Sequence, residues 1–238
     1  KLDDAGWTYR FPDVKGIYDR NVMAGETRGS ISVPDGAELH YTLDGTMPDM
    51  SSPKYSEPFV VKDSCVMHFR CYNSAGVPGE MKHAVFIGRR AYLPAISMES
   101  SLAEGLLVRW YDFDGSTCND IDKAPLKDSF VSGTISVPDD VSGNIGLVFN
   151  GYIDIPSDGM YAFYTYSDDG SGLWIDDELV VDNDGLHSRE ERTGCISLRK
   201  GLHKFMVRYF DSNGGILEAG MTDSSGQHIS FGPGMLKH

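Results

Sequence analysis

The sequence predicts an all-β protein made of two β-sandwiches in tandem, a smaller one followed by a larger one. Three observations lead there. Short apolar runs with period-two alternation recur through both halves, clusters of Gly, Pro, Asp and Ser punctuate them, and no amphipathic helical pattern runs beyond about three turns. At 238 residues the chain is long enough for two ordinary domains or one large β domain. Its 40% hydrophobic and 24% charged residues specify a folded chain rather than a disordered one.

Charge narrows the partners. With 21 basic residues against 35 acidic ones the formal net charge is -14, which opposes binding to nucleic acid and to anionic membrane, since both require clustered Lys and Arg. No apolar run approaches the length of a membrane span, so the expectation is a soluble chain. An acidic surface suits neutral partners and divalent cations; solvation of the surface is the plainer account of it.

Residues 1–10 are irregular, with Trp7 and Tyr9 expected to cap a sheet edge. The chain opens at Lys1 without a methionine or a signal peptide and reads as a processed product or an excised part of a longer protein. From Phe11 to Phe86 the strand candidates are Ile31–Val33, Leu39–Thr42, Phe59–Val61 and Val66–Arg70, separated by turn clusters at Pro34-Asp35-Gly36, Asp44-Gly45, Ser51-Ser52-Pro53 and Gly76–Gly79. Several short strands at this spacing read as a small β-sandwich. Within it, Gly36–Pro48 (GAELHYTLDGTMP) followed by Ser51-Ser52-Pro53-Lys54-Tyr55 and Pro58 resembles the signature of the chitobiase/β-hexosaminidase C-terminal domain over roughly residues 12 to 87. The resemblance implies an immunoglobulin-like accessory module, here 11–87, without catalytic residues. Asp44-Gly45 as a turn and prolines at strand ends agree with it.

Gly88 to Glu104 loses the alternation and is expected to connect the two domains, although Tyr92, Leu93 and Ile96 make it too apolar for a floppy linker. From Gly105 the strand candidates are Leu106–Tyr111, Gly133–Val137, Ile145–Phe149, Gly151–Ile155, Met160–Tyr166, Cys195–Leu198 and His203–Tyr209. Between the last three, Ser167-Asp168-Asp169-Gly170-Ser171 breaks the pattern and Leu173–Ile175 with Leu179–Val181 resumes it around an Asp-Asp-Glu turn: a strand, a carboxylate-rich loop and a hairpin. The stretches GLLVRWYD, FNGYIDIPSDGMYAFYTYSDDGSGLWIDDELVVDNDGLH and LRKGLHKFMVRYFDSNGGILEAGM resemble, in order and spacing, the protective-antigen-type β-sandwich known as the PA-fourteen domain, over about residues 101 to 235. The domain is taken as 105–238. One departure is Asp177-Glu178, where the family has Gly-Lys in the turn; Asp tolerates the left-handed conformation.

Asp168 and Asp169 are the sharpest functional candidates. Neighbouring side chains on an extended strand point to opposite faces, so two adjacent aspartates can grip one ion only if the backbone between them bends or the peptide is cis. Calcium suits such a pair because it takes six to eight oxygens from carboxylates, carbonyls and water. The competing reading is turn chemistry, the carboxylates accepting backbone N–H bonds. The family resemblance implies carbohydrate binding, in some branches through calcium held by the Asp pair, with a third ligand from the loop Asp211–Gly215, taken as Asn213. Tyr166, directly before the Asp-Asp loop, is the better sugar-stacking candidate; Trp110 and Tyr111 are others, while Trp174 reads as core.

Asp182-Asn183-Asp184-Gly185 looks like the start of a calcium loop, but the required Glu is absent, position 193 being Thr, so it reads as a turn. His187 and His203 are either ligands or sugar contacts, or ordinary hydrogen-bonding histidines. Cys65 and Cys71 on one strand are ~20 Å apart and cannot pair; that leaves Cys118 with Cys195 as the one bridge open to the second module. No cysteine spacing suggests zinc, and there is no G-x-S-x-G, Walker pattern or paired buried acid, so no catalytic residue is assigned. Together the resemblances imply accessory modules from the C-terminal region of a secreted, periplasmic or cell-surface glycoside hydrolase, a β-N-acetylhexosaminidase above all. The implied partners are an N-acetylhexosamine-containing or other glycan and the enzyme's own upstream catalytic domain. A structural spacer with no ligand is the alternative.

Overall fold

The computed structural model describes residues 17–98, 101–141, 143–212, 215–223 and 226–238. Trp7, Tyr9 and Asn213 lie outside these residues. The chain divides into two compact units, one ending at Arg90 and the other comprising Ala91–Asp223 and Gln227–His238. Both are β structures, as expected.

The first unit holds β1 (Arg20–Ala24), β2 (Thr27–Gly29), β3 (Glu38–Thr42), β4 (Phe59–Val61), β5 (Cys65–Tyr72) and β6 (Pro78–Arg89). β1 runs parallel to β6, and β6, β5 and β3 pair antiparallel, while β2 and β4 form a separate ribbon. Period-two alternation puts Met67, Phe69 and Cys71 of β5 inward with Leu39, Phe59, Ala84 and Phe86. Ile31–Val33 does not form a strand: Ile31 is buried, but its N–H donates to the Tyr55 hydroxyl at 2.8 Å instead of joining a ladder. Cys65 and Cys71 are free, at opposite ends of the stretch Cys65–Cys71 within β5.

The second unit holds β7 (Leu106–Asp112), β8 (Leu126–Ser132), β9 (Ile145–Ile155), β10 (Gly159–Asp168), β11 (Ser171–Ile175), β12 (Glu178–Asn183), β13 (Glu190–Leu198), β14 (Gly201–Asp211), β15 (Ile216–Thr222), β16 (His228–Ile229) and β17 (Leu236–Lys237). One sheet runs β12-β11-β14-β9-β7-β8 with β17 also on β9; β16, β15, β10 and β13 lie side by side in the other. Phe163 from β10 and Leu147, Phe149, Leu173 and Val207 from the larger sheet are wholly buried, which defines a sandwich core. The apolar residues of 91–98 belong to this unit: Leu93 bridges Leu198, and Ile96 donates its N–H to Leu202 at 2.8 Å. Gly133–Val137 is not a strand. The Ser132 hydroxyl donates to the Thr134 carbonyl at 2.8 Å, local bonding that curls the backbone just before Pro138.

Strand β14 shows how alternation positions the rest. His203, Phe205, Val207, Tyr209 and Asp211 face inward and are buried, while Lys204, Met206 and Arg208 face outward. The outer face is itself covered at one end. Phe113 and the short 3-10 helix Cys118–Lys123 lay Cys118 and Ile121 on Val148 and Phe210, a small second core held by Arg208, which donates to the Cys118 carbonyl and pairs with Asp122. Cys118 and Cys195 are both buried free thiols, so the one bridge left open to the second module is not formed. Cys118 is on this outer face, where its thiol points to the Arg208 carbonyl at 3.8 Å.

Candidate functional site

Two strand ends meet at one end of the larger sandwich. β10 is hydrogen-bonded on both sides to its last residues, Ser167 opposite Glu190 and Asp168 opposite Ile216, so the chain reaches Asp168 still extended. β14 from the other sheet ends at Asp211, opposite Ile145. A carboxylate oxygen from each of Asp168, Asp169 and Asp211 falls within 4.8 Å of the others. The Asp168–Asp169 peptide is cis, one of the two backbone geometries that lets neighbouring aspartates share a focus.

What surrounds these carboxylates fixes them from behind. The Tyr209 hydroxyl, on a fully buried ring, donates to the Asp168 carbonyl at 2.8 Å and ties the two sheets together. Burial, with the charges of Asp211, Asp168 and Asp169 adding to it, pushes the Tyr209 hydroxyl far above its ordinary range, so it stays a proton donor. The Gly215 N–H donates to Asp211 Oδ2 at 2.7 Å and the His187 N–H to Asp169 Oδ1 at 3.2 Å. Under the loop, Ser167 and Ser171 hydroxyls meet at 2.7 Å and Asn183 Nδ2 donates to Ser167 at 3.0 Å, all three side chains buried. Gly215 is required where it stands, because a Cβ there would sit 1.7 Å from the Asp168 carbonyl oxygen and 2.6 Å from an Asp211 carboxylate oxygen.

Three carboxylates this close repel by on the order of 3 kcal/mol per pair at an effective dielectric of 20. No ion pair joins Asp168 or Asp169 to a basic side chain among the described residues. The donor set is all oxygen, without imidazole or thiolate, and this is the chemistry of a hard divalent cation such as calcium rather than of zinc or copper. The residues therefore fit calcium, with three protein carboxylates and room in a six-to-eight-oxygen shell for water or a ligand hydroxyl.

The structure brings Asp168 and Asp169 together with Asp211. Tyr166 shares the face of Asp168 by strand alternation and is half-buried, two residues back along β10. Asp182–Gly185 is a turn only in its second half: Asp182 and Asn183 end β12, and the chain leaves the sheet at Asp184, whose carboxylate accepts the N–H groups of Cys118 at 2.7 Å and Gly185 at 2.9 Å. Only the backbone N–H of His187 reaches the carboxylate cluster; its ring nitrogens lie against the carbonyls of Asn183 and Ser188. His203 lies wholly buried beside Asp176. Tyr111 is buried in the small outer core, and Trp110 sits under Lys127, whose Nζ is 5.2 Å from the ring. Trp174 is not in the sandwich core as expected. Its neighbours Leu173 and Ile175 face inward, which turns the indole to the outer face, half-buried.

A family model described as PA14 domain matches residues 102–231, more than half of the chain, and one described as Fn3 associated matches residues 30–84. An α-agarase of Thalassotalea agarivorans is 32% identical over 100 residues, 42% of this chain and 6% of that protein. A β-hexosaminidase of Porphyromonas gingivalis is 23% identical over 220 residues, 85% of this chain and 27% of that protein. The chain thus spans only a small part of either relative. Among solved structures, the PA14 domain of the antifreeze protein MpAFP superposes with a TM-score of 0.51 at 16% identity, covering 60% of this chain and 94% of that one. By its family match, the chain belongs to the PA14 domain family.

Proposed function

We propose that the chain is a non-catalytic carbohydrate-binding module pair in which Asp168, Asp169 and Asp211 hold calcium and present it, with Tyr166 beside it, to glycan hydroxyls. The observation that carries this reading is the convergence of three carboxylate oxygens within 4.8 Å from the ends of two different sheets. A calcium ion bound there would supply open coordination positions for vicinal sugar hydroxyls. The protein's own part is to fix the carboxylates: Tyr209 holds the Asp168 carbonyl, Gly215 and His187 orient Asp211 and Asp169, and the Ser167–Ser171–Asn183 network anchors the loop.

The parent is a secreted, periplasmic or cell-surface glycoside hydrolase, and the β-hexosaminidase relative favours a β-N-acetylhexosaminidase because its alignment covers both units. On this reading the first unit is a chitobiase-type C-terminal module serving as a spacer beside an upstream catalytic domain. The agarase relative keeps a galactan glycan in view.

Adding millimolar calcium should raise the melting temperature of the second unit by several degrees, reversibly with chelator, since a ligand at a hundredfold excess over Kd stabilises by ~2.7 kcal/mol. Asp211→Asn and Asp169→Asn should each remove the rise. Glycan-array signal should vanish with chelator. Neither a thermal shift nor a chelator-sensitive signal would leave the second unit as a structural spacer.

A further inference from the structure

The outer face of the larger sheet is half covered. Phe113 and the helix Cys118–Lys123 close one end; at the other, a concavity of ≈ 390 Å³ is open to solvent. Its size falls within the ~300–1,000 Å³ of small-molecule sites. Leu107, Asn150, Met206 and Trp174 form its floor, and register makes them direct neighbours on four adjacent strands, β7, β9, β14 and β11. At ~4.8 Å between strands this row is about 14 Å long. Tyr152 and Lys204, paired across β9 and β14, form the wall, and Asp177 from the β11–β12 turn completes it.

The chemistry of the lining selects its occupant. Trp174 is held by packing against the small outer core and by Gly172, whose missing side chain makes room for the indole: a Cβ there would meet the six-membered ring at 2.5 Å. A fixed, part-exposed aromatic surface beside Tyr152 favours the C–H face of a sugar ring over a flexible chain. Lys204 Nζ and Asp177 in the wall are already paired at 2.8 Å, and the third ionisable side chain of the lining is the imidazole of His238, so no unpaired Lys, Arg, Asp or Glu side chain faces the concavity. The Asn150 carboxamide and the Tyr152 hydroxyl make no hydrogen bond with any described residue, leaving donors and acceptors for hydroxyls. We infer that this concavity is a second glycan site, for a neutral oligosaccharide, independent of calcium and of the carboxylate cluster.

The test titrates chitotetraose, agarotetraose and cellotetraose separately into the full chain in the presence of EDTA, following the Trp174 indole N–H and the Asn150 side-chain amide by NMR. At least one sugar should shift both signals saturably, equally so in Asp169→Asn, and should bind at least tenfold more weakly in Asn150→Ala, followed on the Trp174 indole, and in Trp174→Ala, followed on the Asn150 side-chain amide. Dispersed spectra of the two variants would establish that they fold; Asn150→Ala, on an outward position, removes no core packing. No shift with any of the three sugars overturns the proposal. So do shifts unchanged by Asn150→Ala, or shifts at these signals that track protein concentration rather than sugar, which would make the face a self-association surface. Because the readout is taken under chelation, its outcome is separate from that of the calcium reading.

Discussion

Two acidic strand ends of the larger sandwich, Asp168–Ser171 and Asp182–Gly185, are built of similar residues and end differently. In the second, Asp184 spends its carboxylate on backbone N–H groups, joining the helix Cys118–Lys123 to the β12–β13 connection. In the first, two carboxylates meet a third at a shared focus, with the His187 N–H on Asp169 and the Gly215 N–H on Asp211. Composition made both look like cation loops or turns. What separates them is where the backbone donors lie, and that depends on strands far away in sequence.

The largest effect expected from breaking this difference is at Gly215. Gly215→Ala should cost about 3 kcal/mol or more in the second unit, because the atom struck is the backbone oxygen of Asp168, which cannot turn aside as a side chain would. It should also erase the calcium-induced thermal shift. Gly185 has φ +113 with open space around its missing Cβ, so Gly185→Ala should cost only about 1–2 kcal/mol and keep the shift. Equal effects of the two variants on calcium response, read by calorimetry, would contradict the division between the loops.

A smaller effect belongs to Asp184. Asp184→Ala leaves the Cys118 and Gly185 N–H groups without their acceptor and should lower stability by about 1–2 kcal/mol, or roughly 2–4 °C per kcal/mol for a unit of this size. Its calcium shift should match that of the parent chain. A lost shift would mean that this loop too contributes to the cation site.

Fold and site were legible to different depths. The second unit's strands near the site were readable because Phe205, Val207 and Tyr209 alternate cleanly with Lys204, Met206 and Arg208. The same alternation, carried two residues past the Tyr209 end of the strand candidate, places Asp211 inward at the strand end, a carboxylate that the family resemblance, which implies Asn213, does not single out. Leu126–Ser132 went unread because all but two of its residues are exposed, so no apolar face announces it. Trp174 was misjudged for the opposite reason. Its apolar neighbours look like a core strand, but alternation sends it to the face away from them, and whether that face is covered depends on Phe113 and Ile121, over fifty residues earlier.

A third acidic turn supplies the smallest effect and the sharpest contrast in kind, since its carboxylate is answered by a cation within the protein. Asp176 and Asp177 both take left-handed φ in the β11–β12 hairpin, the geometry of a type I′ turn. Asp176 reaches across to β14, accepting the Lys204 N–H at 2.8 Å and meeting His203 Nδ1 at 2.6 Å, while His203 Nε2 lies 2.8 Å from the Arg199 carbonyl. Burial by itself lowers the pKa of His203, but the bond to Asp176, the Arg199 carbonyl and the Asp176 charge outweigh it and raise the value above 6.5. A raised folded pKa means that the stabilisation is complete below the ordinary histidine range and is lost as pH rises through the folded value. The second unit should therefore melt lower at pH 8.5 than at pH 6. In His203→Gln, which cannot carry the charge, that part of the pH dependence should be absent. A melting temperature that rises over this interval in the parent chain, or falls equally in His203→Gln, would show that the imidazole is neutral in the fold and that Asp176 serves only as an acceptor for backbone and neutral ring N–H groups.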